Sequence, residues 1–265
     1  MNGLVFFNMK FKKLYEDVLF YLTVPKCVCC REKLARTESA LCNKCKIDYE
    51  NRKDRICSVC FSRLDECNCP NEYLETHMVK KLVKVFRYKP SEDPNERIPT
   101  NELIYNIKRG KRRDLLDLIS DEMILSIRKA IKYENFIITN IPRTRSRVLK
   151  YGLDHSAEIA KSISRKLGIE YVSILKSKSK KAQKKTHGEQ RMLNAEFDYK
   201  NKIPDINGKR VILVDDIVTT GASMGACAML IKGLGAKEIV GASLAIAFKD
   251  KYIPFAKTDF WQWDK

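Results

Sequence analysis

The chain has 265 residues, of which 44% are hydrophobic and 32% charged, and its mean hydropathy is −0.36. These values fit a folded protein with a polar surface and exclude a chain that is mainly disordered. The apolar runs are far shorter than the roughly 20 residues of a membrane-spanning helix, and no secretory signal is visible at the N-terminus. We therefore expect a cytoplasmic protein without a membrane span.

The charge of the chain is strongly basic, with a formal net charge of +18. Nearly all of the excess lies after residue 75, because residues 1–75 contain 13 basic and 11 acidic residues. A basic excess attracts polyanions such as nucleic acid, phosphorylated metabolites or an anionic membrane surface. It also favours solubility, so the charge alone does not choose among these partners.

Helical and strand-like patterns follow one another along the chain. Apolar residues at helical spacing predict an amphipathic helix over residues 9–24, which Pro25 ends. A cysteine-rich segment follows to about residue 75, and three prolines predict a loop at residues 89–101. The other predicted helices cover residues 103–125 (on both sides of Gly110), 156–167 and 223–234, and the predicted strands cover residues 135–141, 171–175, 211–214 and 238–247. This alternation predicts an α/β protein with a mainly parallel sheet.

Nine of the ten cysteines lie between Cys27 and Cys69. In a cytosolic chain such clustering is more typical of metal ligands than of disulfides. Two C-x2-C pairs can complete a tetrahedral shell of four thiolates, for which Zn²⁺ is the usual ion. Pairing in sequence order therefore predicts two structural zinc sites. The ligands of the first are Cys27, Cys30, Cys42 and Cys45, and those of the second are Cys57, Cys60, Cys67 and Cys69.

Other ligand sets stay open at this point. The Cys67-x-Cys69 spacing is tighter than usual, Cys29 could replace a neighbouring ligand, and His77 could replace Cys67 or Cys69. A single zinc ion, redox or disulfide chemistry, and an iron–sulfur cluster are the alternatives to two zinc ions. Because the segment is short and polar, metal binding is expected to supply its folding free energy.

Residues 211–223, VILVDDIVTTGAS, combine a buried strand, two adjacent acids and a small hydroxyl-rich turn. The strand brings Asp215 and Asp216 to its carboxyl end, where open α/β sheets bind ligands. The turn opens a helix whose N–H groups and dipole suit a phosphate monoester, and the paired carboxylates suit the vicinal hydroxyls of a sugar. The predicted phosphate-binding residues are Thr219, Thr220, Gly221, Ala222 and Ser223. An ordinary strand–turn–helix with solvated acids is the alternative.

This stretch resembles the 5-phosphoribosyl-1-pyrophosphate (PRPP) motif of type I phosphoribosyltransferases. With a double zinc ribbon in front of it, the chain resembles the ComF/ComFC family, competence-associated proteins of bacterial DNA uptake, over about residues 19–247. The resemblance implies a phosphoribosyltransferase-like domain at residues 76–265, with a mainly parallel sheet flanked by helices. An N-terminal helix and the ribbon would occupy residues 1–75. It also implies that Asp215 and Asp216 hold the ribose hydroxyls, that the turn holds the 5′-phosphate, and that Mg²⁺ accompanies PRPP.

Further positions match the family or depart from it. Lys108, Pro142 and Gly152 match, and Gln183, Arg191 and Asn194 fall at the spacing of the family's Q-x7-R-x2-N segment. Where the family has an R-G-F-N-Q run, residues 151–155 keep only the glycine, and His155 begins a helix, where a capping or surface role is commoner. The candidate pyrophosphate or loop contacts are Arg143, Arg145, Gln183 and Arg191, with Arg147 also close in sequence; no catalytic residue is assigned.

Three functions are compatible with these features. The first is a PRPP-binding protein of DNA uptake, natural transformation or processing of incoming single-stranded DNA, with the lysine-rich segments 108–113 and 176–185 meeting the DNA. The second is a nucleobase phosphoribosyltransferase of nucleotide salvage that uses PRPP and Mg²⁺. The third is a non-catalytic scaffold that senses PRPP and binds DNA or protein partners of the uptake or recombination machinery. The enzymatic and non-enzymatic alternatives both stay open here.

Overall fold

The structure of the protein is a computed structural model that describes residues 25–53, 56–57, 60–88, 96–110, 112–178 and 197–247. The helix predicted at residues 9–24 and the candidate contacts Gln183, Arg191 and Asn194 lie outside the described residues. None of the helices in the described ranges has the length and apolar character needed to cross a membrane.

Helices and strands alternate over the second half of the chain. The helices are α1 (Asn43–Lys53), α2 (Glu72–Thr76), α3 (Pro99–Arg109), α4 (Arg113–Ala130), α5 (Arg145–Tyr151), α6 (His155–Leu167) and α7 (Ala222–Gly233). The strands are β1 (Lys81–Arg87), β2 (Phe136–Asn140), β3 (Leu175–Ser177), β4 (Phe197–Tyr199), β5 (Arg210–Val218) and β6 (Glu238–Ile246).

Four strands form one parallel sheet in the order β1-β6-β5-β2. Strands β3 and β4 form a separate antiparallel pair. Along β5, Val211 and Leu213 pack in one apolar cluster, whereas Ile212 and Val214 pack in another. Since successive strand side chains point to opposite faces, the sheet has a core on each face. The predicted α/β fold with a mainly parallel sheet flanked by helices is confirmed.

Several boundaries differ from the predictions. The predicted helix at 103–125 is two helices, because the backbone of Gly110 is extended and ends α3. The loop predicted over residues 89–101 ends early, since α3 begins at Pro99, a position where proline is well tolerated. The strand predicted at 171–175 is displaced: Tyr171 makes only an isolated parallel bridge to Ile138, and a strand, β3, begins at Leu175. Strand β5 continues to Val218, so Asp215 and Asp216 lie within it.

The cysteine-rich segment packs against the sheet on both of its faces. Residues Cys27, Val28, Cys29, Leu34, Ala40, Leu41, Cys45 and Tyr49 belong to the apolar cluster that also contains α4 and α6. Residues Cys57, Leu64 and Cys67 belong to the cluster on the opposite face, together with α7. The segment therefore shares the cores of the sheet, and the predicted domain boundary near residue 75 stays a prediction.

Candidate functional site

A cleft of about 800 Å³ lies at the carboxyl ends of β2 and β5. That volume is in the range of small-molecule sites, roughly 300–1,000 Å³. Its charged lining residues are Lys108, Arg143, Arg147, Lys178, Asp215 and Asp216, and its aromatic lining residues are Tyr151 and Phe197. Four cations and two carboxylates in one cleft suit an anionic ligand that also carries hydroxyl groups.

The phosphate loop, residues 219–223, joins β5 to α7 and encloses a cavity of about 50 Å³. Gly221 stands at the start of α7 with a φ of +87°, a left-handed conformation that favours glycine. Gly221 has no side chain to cap α7, and Thr220 Oγ1 accepts only from Ala222 N, at 3.3 Å. The other N–H groups of the first turn and the positive end of the helix dipole remain available to an anion. The hydroxyl residues Thr219, Thr220 and Ser223 are exposed beside them.

Asp216 is buried and surrounded by positive charge. Its Oδ2 accepts a short hydrogen bond from Arg143 and lies 3.5 Å from Lys108 Nζ. Burial by itself raises the pKa of Asp216, but the charges of Lys108 and Arg143 outweigh this effect and bring the pKa below its ordinary value. Asp216 is therefore ionised, and it fixes two of the cations of the cleft.

Asp215 has the opposite electrostatic environment. Its Oδ1 accepts hydrogen bonds from Ser156 Oγ and from the Asp216 backbone N–H, both at 2.9 Å. Burial, followed by the negative charge of Asp216, raises the pKa of Asp215 well above its ordinary value. The pKa values of the two adjacent carboxyls are therefore shifted in opposite directions, so Asp216 loses its proton more readily than Asp215.

Asp154 positions Arg143, and this role was not visible in the sequence. Its Oδ1 accepts from Ala157 N at 3.2 Å and so caps α6, while its Oδ2 accepts from Arg143 N at 3.1 Å. The preceding Gly152 ends α5 with a φ of +76°. Residues 151–155, which depart from the family's R-G-F-N-Q run, therefore still hold the loop after β2. The group that holds it is the carboxylate of Asp154.

His155 is buried, which corrects the expectation of a capping or surface residue. Only 2% of its surface is exposed, and the capping residue of α6 is Asp154. Burial, followed by the charge of Arg143, lowers the pKa of His155, so the ring is neutral near pH 7. Its Nε2 has no hydrogen-bond partner among the described residues.

The candidate pyrophosphate contacts fall in different places. Arg143 lines the cleft, and so does Arg147 from the first turn of α5. Arg145 begins α5, is exposed, and is not among the residues that line the cleft. Lys108 faces Asp216 from the end of α3.

The first cysteine group consists of Cys27, Cys30, Cys42 and Cys45, whose Sγ atoms all lie within 4.8 Å of one another. The Sγ atoms of Cys30 and Cys42 are 3.6 Å apart, close to the roughly 3.8 Å expected around a tetrahedral ion with Zn–S bonds of about 2.3 Å. Burial raises the pKa of Cys27, but backbone N–H groups of Cys42, Cys30 and Cys29 lower it to about 7. The group fits a metal ion.

The second cysteine group consists of Cys57, Cys60, Cys67 and Cys69, again with all Sγ atoms within 4.8 Å. Burial and the neighbouring thiols raise the pKa of Cys69 to about 12. Burial also raises the pKa of Cys60, but hydrogen bonds from Ser62, Cys67 and Cys69 together outweigh it and lower that pKa to about 6. A cation would offset the repulsion among four thiolates. This group also fits a metal ion.

The two alternative ligands lie outside these groups. Cys29 donates its thiol to Arg97 O at 3.3 Å, and burial raises its pKa to about 11. The ring of His77 stacks on Tyr73 at 3.9 Å, and its Nδ1 lies 2.7 Å from Tyr73 O. Neither belongs to the sets of close ligand atoms among the described residues.

The basic segment at 108–113 is mostly engaged within the protein. Lys108 pairs with Asp216, and the Arg109 guanidinium lies 3.8 Å from the ring centroid of Tyr105. Arg112 pairs with Asp114 and donates to Lys26 O. Lys111 and residues 179–185 of the second basic segment lie outside the described residues.

Comparison with known proteins identifies the second half of the chain. A family model for the phosphoribosyl transferase domain matches residues 153–259. DNA utilization protein YhgH from Escherichia coli (strain K12) is 24% identical over 225 residues, which cover 77% of this chain and 95% of that protein. Residues 153–259 thus match the phosphoribosyl transferase domain, and most of the chain is similar to YhgH, which agrees with the resemblance drawn from the sequence.

Two other proteins match shorter parts of the chain. Ribose-phosphate pyrophosphokinase from Pyrococcus abyssi (strain GE5 / Orsay) is 37% identical over 82 residues, or 31% of this chain and 24% of that protein. The crystal structure of purine phosphoribosyltransferase from Pyrococcus horikoshii Ot3 is 20% identical with a TM-score of 0.34, covering 54% of this chain and 93% of that one.

Proposed function

We propose that the cleft binds PRPP and that the protein acts in the utilisation of DNA taken up by the cell. The observation that carries the PRPP assignment is the placement of Asp215 and Asp216 beside a phosphate loop that starts α7 at Gly221, a residue without a capping side chain. The match to the phosphoribosyl transferase domain and the homology to a protein named for DNA utilization support the two parts of the proposal.

The 5′-phosphate fits the phosphate loop. Its charge would face the N–H groups of the first turn of α7 and the exposed hydroxyls of Thr219, Thr220 and Ser223. The ribose would then lie over β5, within reach of Asp215 and Asp216. The pyrophosphate would extend into the part of the cleft lined by Arg143 and Arg147.

Binding should rearrange the charges around Asp216. Without ligand, Arg143 and Lys108 neutralise this carboxylate. A pyrophosphate is a stronger attractor for both cations than one carboxylate, because it carries several negative charges. We expect the two side chains to turn toward the pyrophosphate, which frees Asp216 to accept from a ribose hydroxyl. Mg²⁺ bound by the pyrophosphate would neutralise part of the remaining charge.

Zn²⁺ is the proposed occupant of both cysteine groups, because four thiolates in a closed tetrahedral shell suit this ion and a structural role. Thiolate ligands need a reducing compartment, which supports a cytoplasmic location.

Single-stranded DNA is the proposed macromolecular partner. The net charge of +18 supports binding to a polyanion. Lys108, Arg109 and Arg112 are engaged within the protein, so the second lysine-rich segment, 176–185, is the proposed contact surface. Fluorescence anisotropy with a labelled single-stranded oligonucleotide should give an affinity that falls steeply between about 50 and 200 mM salt. Binding that is absent at low salt would contradict this part of the proposal.

Calorimetric titration with PRPP and Mg²⁺ tests the PRPP assignment. The double change Asp215→Asn, Asp216→Asn should weaken binding by at least about 100-fold, because hydrogen bonds to charged groups contribute roughly 1.5–3 kcal/mol each. Asp205→Asn is the control, since this exposed acid is not among the residues that line the cleft. Equal affinity in all three proteins would refute the assignment, and release of pyrophosphate with a nucleobase would favour the salvage enzyme instead.

A further inference from the structure

A continuous line of contacts runs from the second cysteine group to the phosphate loop. The segment that carries it, residues 67–77, contains two cysteines of the group, the capping residue Asn71 and helix α2. One end of this segment contacts β1 and the other contacts α7. The contacts of Lys84 and of Leu74 N along this line are partly or fully buried, and the contact of Asn71 with Thr220 O is exposed.

Lys84 anchors the cysteine end of the segment. This residue of β1 is only 2% exposed, and its Nζ lies 3.2 Å from Cys67 Sγ and 2.7 Å from Cys69 O. It also donates to Cys67 O at 3.4 Å and Leu82 O at 3.3 Å. A buried ammonium ion needs such partners, and its charge compensates the negative charge of four thiolates around a divalent ion. The backbone of Asn68 is fixed as well, since Leu82 N donates to Asn68 O at 2.8 Å.

Asn71 joins the segment to the phosphate loop. Its Oδ1 accepts from Leu74 N at 2.9 Å and so caps α2. Its Nδ2 donates to Thr220 O at 3.1 Å. One amide group therefore starts the short helix and holds the backbone of the phosphate loop.

Helix α2 also packs directly on the start of α7. A Cβ atom on Gly221 would lie 2.8 Å from Leu74 Cγ, and one on Gly225 would lie 2.9 Å from both Tyr73 Cε1 and His77 Cβ. Real Cβ contacts are not this short, so the two glycines are needed for this close approach. The first turn of α7, which supplies the N–H groups for a phosphate, is therefore pressed against α2.

We propose that Asn71 is a positioning residue for the phosphate loop and that the second metal site sets PRPP affinity by holding Asn71 in place. The inference rests on the proposed function, because it assigns a regulator to the proposed PRPP site. Without the second metal ion, Cys67 and Cys69 lose their bonds to the metal. Only their contacts with Lys84 then attach them to β1. Asn71 and Leu74 then lose their fixed position against Thr220 and Gly221.

The first cysteine group has different neighbours. Its surroundings contact α3 and α4, through Asn106 Nδ2 to Val28 O at 3.4 Å and Ala40 N to Asp114 Oδ2 at 3.1 Å. It serves as the internal control: losing its metal ion should not act on the phosphate loop through residues 67–77.

Asn71→Ser tests the positioning role. Serine still caps α2, but its shorter side chain does not reach Thr220 O. Affinity for PRPP and for ribose 5-phosphate, measured by calorimetry on the full chain, should fall about two- to tenfold, as for the loss of one neutral hydrogen bond. Affinity for pyrophosphate with Mg²⁺ should not change, because that ligand does not use the phosphate loop. Asn106→Ser, the same change beside the first cysteine group, should leave all three affinities within about twofold.

Cys60→Ser and Cys30→Ser test the metal dependence. Each variant should lose about one equivalent of zinc, measured with a chromogenic chelator, because one of four ligands is removed. Measured well below the melting temperature of each variant, Cys60→Ser should weaken PRPP binding about fivefold or more, a typical coupling between two sites. Cys30→Ser should bind PRPP as the wild type does under the same conditions, although it is less stable.

The possible failures are distinguishable. A wild-type protein that binds neither PRPP nor ribose 5-phosphate overturns both this inference and the proposed function. Normal wild-type binding with unchanged affinity in Asn71→Ser or Cys60→Ser overturns the inference alone. Equal weakening for pyrophosphate would point to general destabilisation and would also overturn it.

Discussion

The two cysteine groups lie on opposite faces of the sheet, and each group contacts different helices and a different part of the core. On one face, eight residues between Cys27 and Tyr49 enter the apolar core with α4 and α6. On the other, Cys57, Leu64, Cys67 and Leu74 enter the core beside α7, and Cys69 packs against it. Two sites with the same ligands and similar geometry therefore differ in what their loss would disturb.

Because their contacts differ, the two cysteine groups are expected to affect different properties of the protein, one its stability and the other its ligand binding. Around the first group, a metal ion and a large apolar surface act on the same residues, so its loss exposes core. Around the second, a buried charge and a few hydrogen bonds connect the metal site to the phosphate loop. We expect the first group to govern the free energy of unfolding and the second to govern ligand binding.

The largest effect should come from Cys45→Ser in the first group. Cys45 is 7% exposed and belongs to the main apolar cluster, and a structural zinc ion contributes apparent binding free energies on the order of 10 kcal/mol. We expect its melting temperature to fall by at least about 15 °C. Cys60→Ser, at an exposed ligand, should lower it by clearly less. Differential scanning calorimetry measures both, and the reverse order would contradict the comparison.

Lys84→Met should have the next largest effect. Methionine keeps the length of the side chain but leaves the Cys67 thiolate and the Cys69 carbonyl without their cation, which costs roughly 2–4 kcal/mol of unfolding free energy. Lys81→Met is the matched control on the same strand, because the Lys81 side chain is 43% exposed. Urea unfolding curves give both values, and a similar small loss in the two variants would mean that Lys84 does not compensate the second group.

Gly221→Ala tests how closely α2 packs against the phosphate loop. Both Gly221 and Gly208 have positive φ, but a Cβ at Gly208 meets nothing within 4 Å. Gly208→Ala thus reports backbone strain alone, about 1 kcal/mol. Gly221→Ala should cost about 1–3 kcal/mol more, since the new methyl group overlaps Leu74. Chemical unfolding measures the difference in unfolding free energy between the two variants. Equal losses would show that α2 moves away from the new methyl group at no cost in stability.

Arg31→Ala should have the smallest effect. Arg31 donates to Asn106 Oδ1 at 3.1 Å and lies 3.5 Å from Glu102, but its side chain is 44% exposed. Exposed ion pairs contribute about 1 kcal/mol or less. We expect a small loss of stability and unchanged PRPP affinity, by unfolding and calorimetry respectively. A loss above about 2 kcal/mol would mean that this surface contact, and not the apolar core, holds the first group in place.

The sequence predicted those parts of the fold that depend on local pattern. Strand β2 is a short, fully buried run, helix α6 has clear apolar periodicity, and the C-x2-C spacings predict which cysteines come together. The strand β1 was missed because its sequence, KLVKVFR, places a lysine where a buried side chain was needed. Only the fold shows that the Lys84 ammonium has the second cysteine group as its partner.

The functional site was predicted only in part, because a sequence pattern shows local motifs but not contacts between distant residues. The order of Asp215, Asp216 and the phosphate loop is local and could be recognised as a motif. The contacts of Asp154 with Arg143, and of Asn71 with Thr220, join residues 11 and 149 positions apart. No pattern in the sequence indicates such contacts, because either residue alone reads as an ordinary helix cap.

A crystal structure of the full chain with PRPP and Mg²⁺ tests the central claim most directly. The 5′-phosphate should lie within hydrogen-bond distance of backbone N–H groups of the phosphate loop, with the ribose hydroxyls on Asp215 and Asp216. The Arg143 guanidinium should have turned from Asp216 toward the pyrophosphate. A phosphate found instead in the neighbouring cavity of about 560 Å³, lined by Arg112, Arg113 and Arg165, would contradict the account.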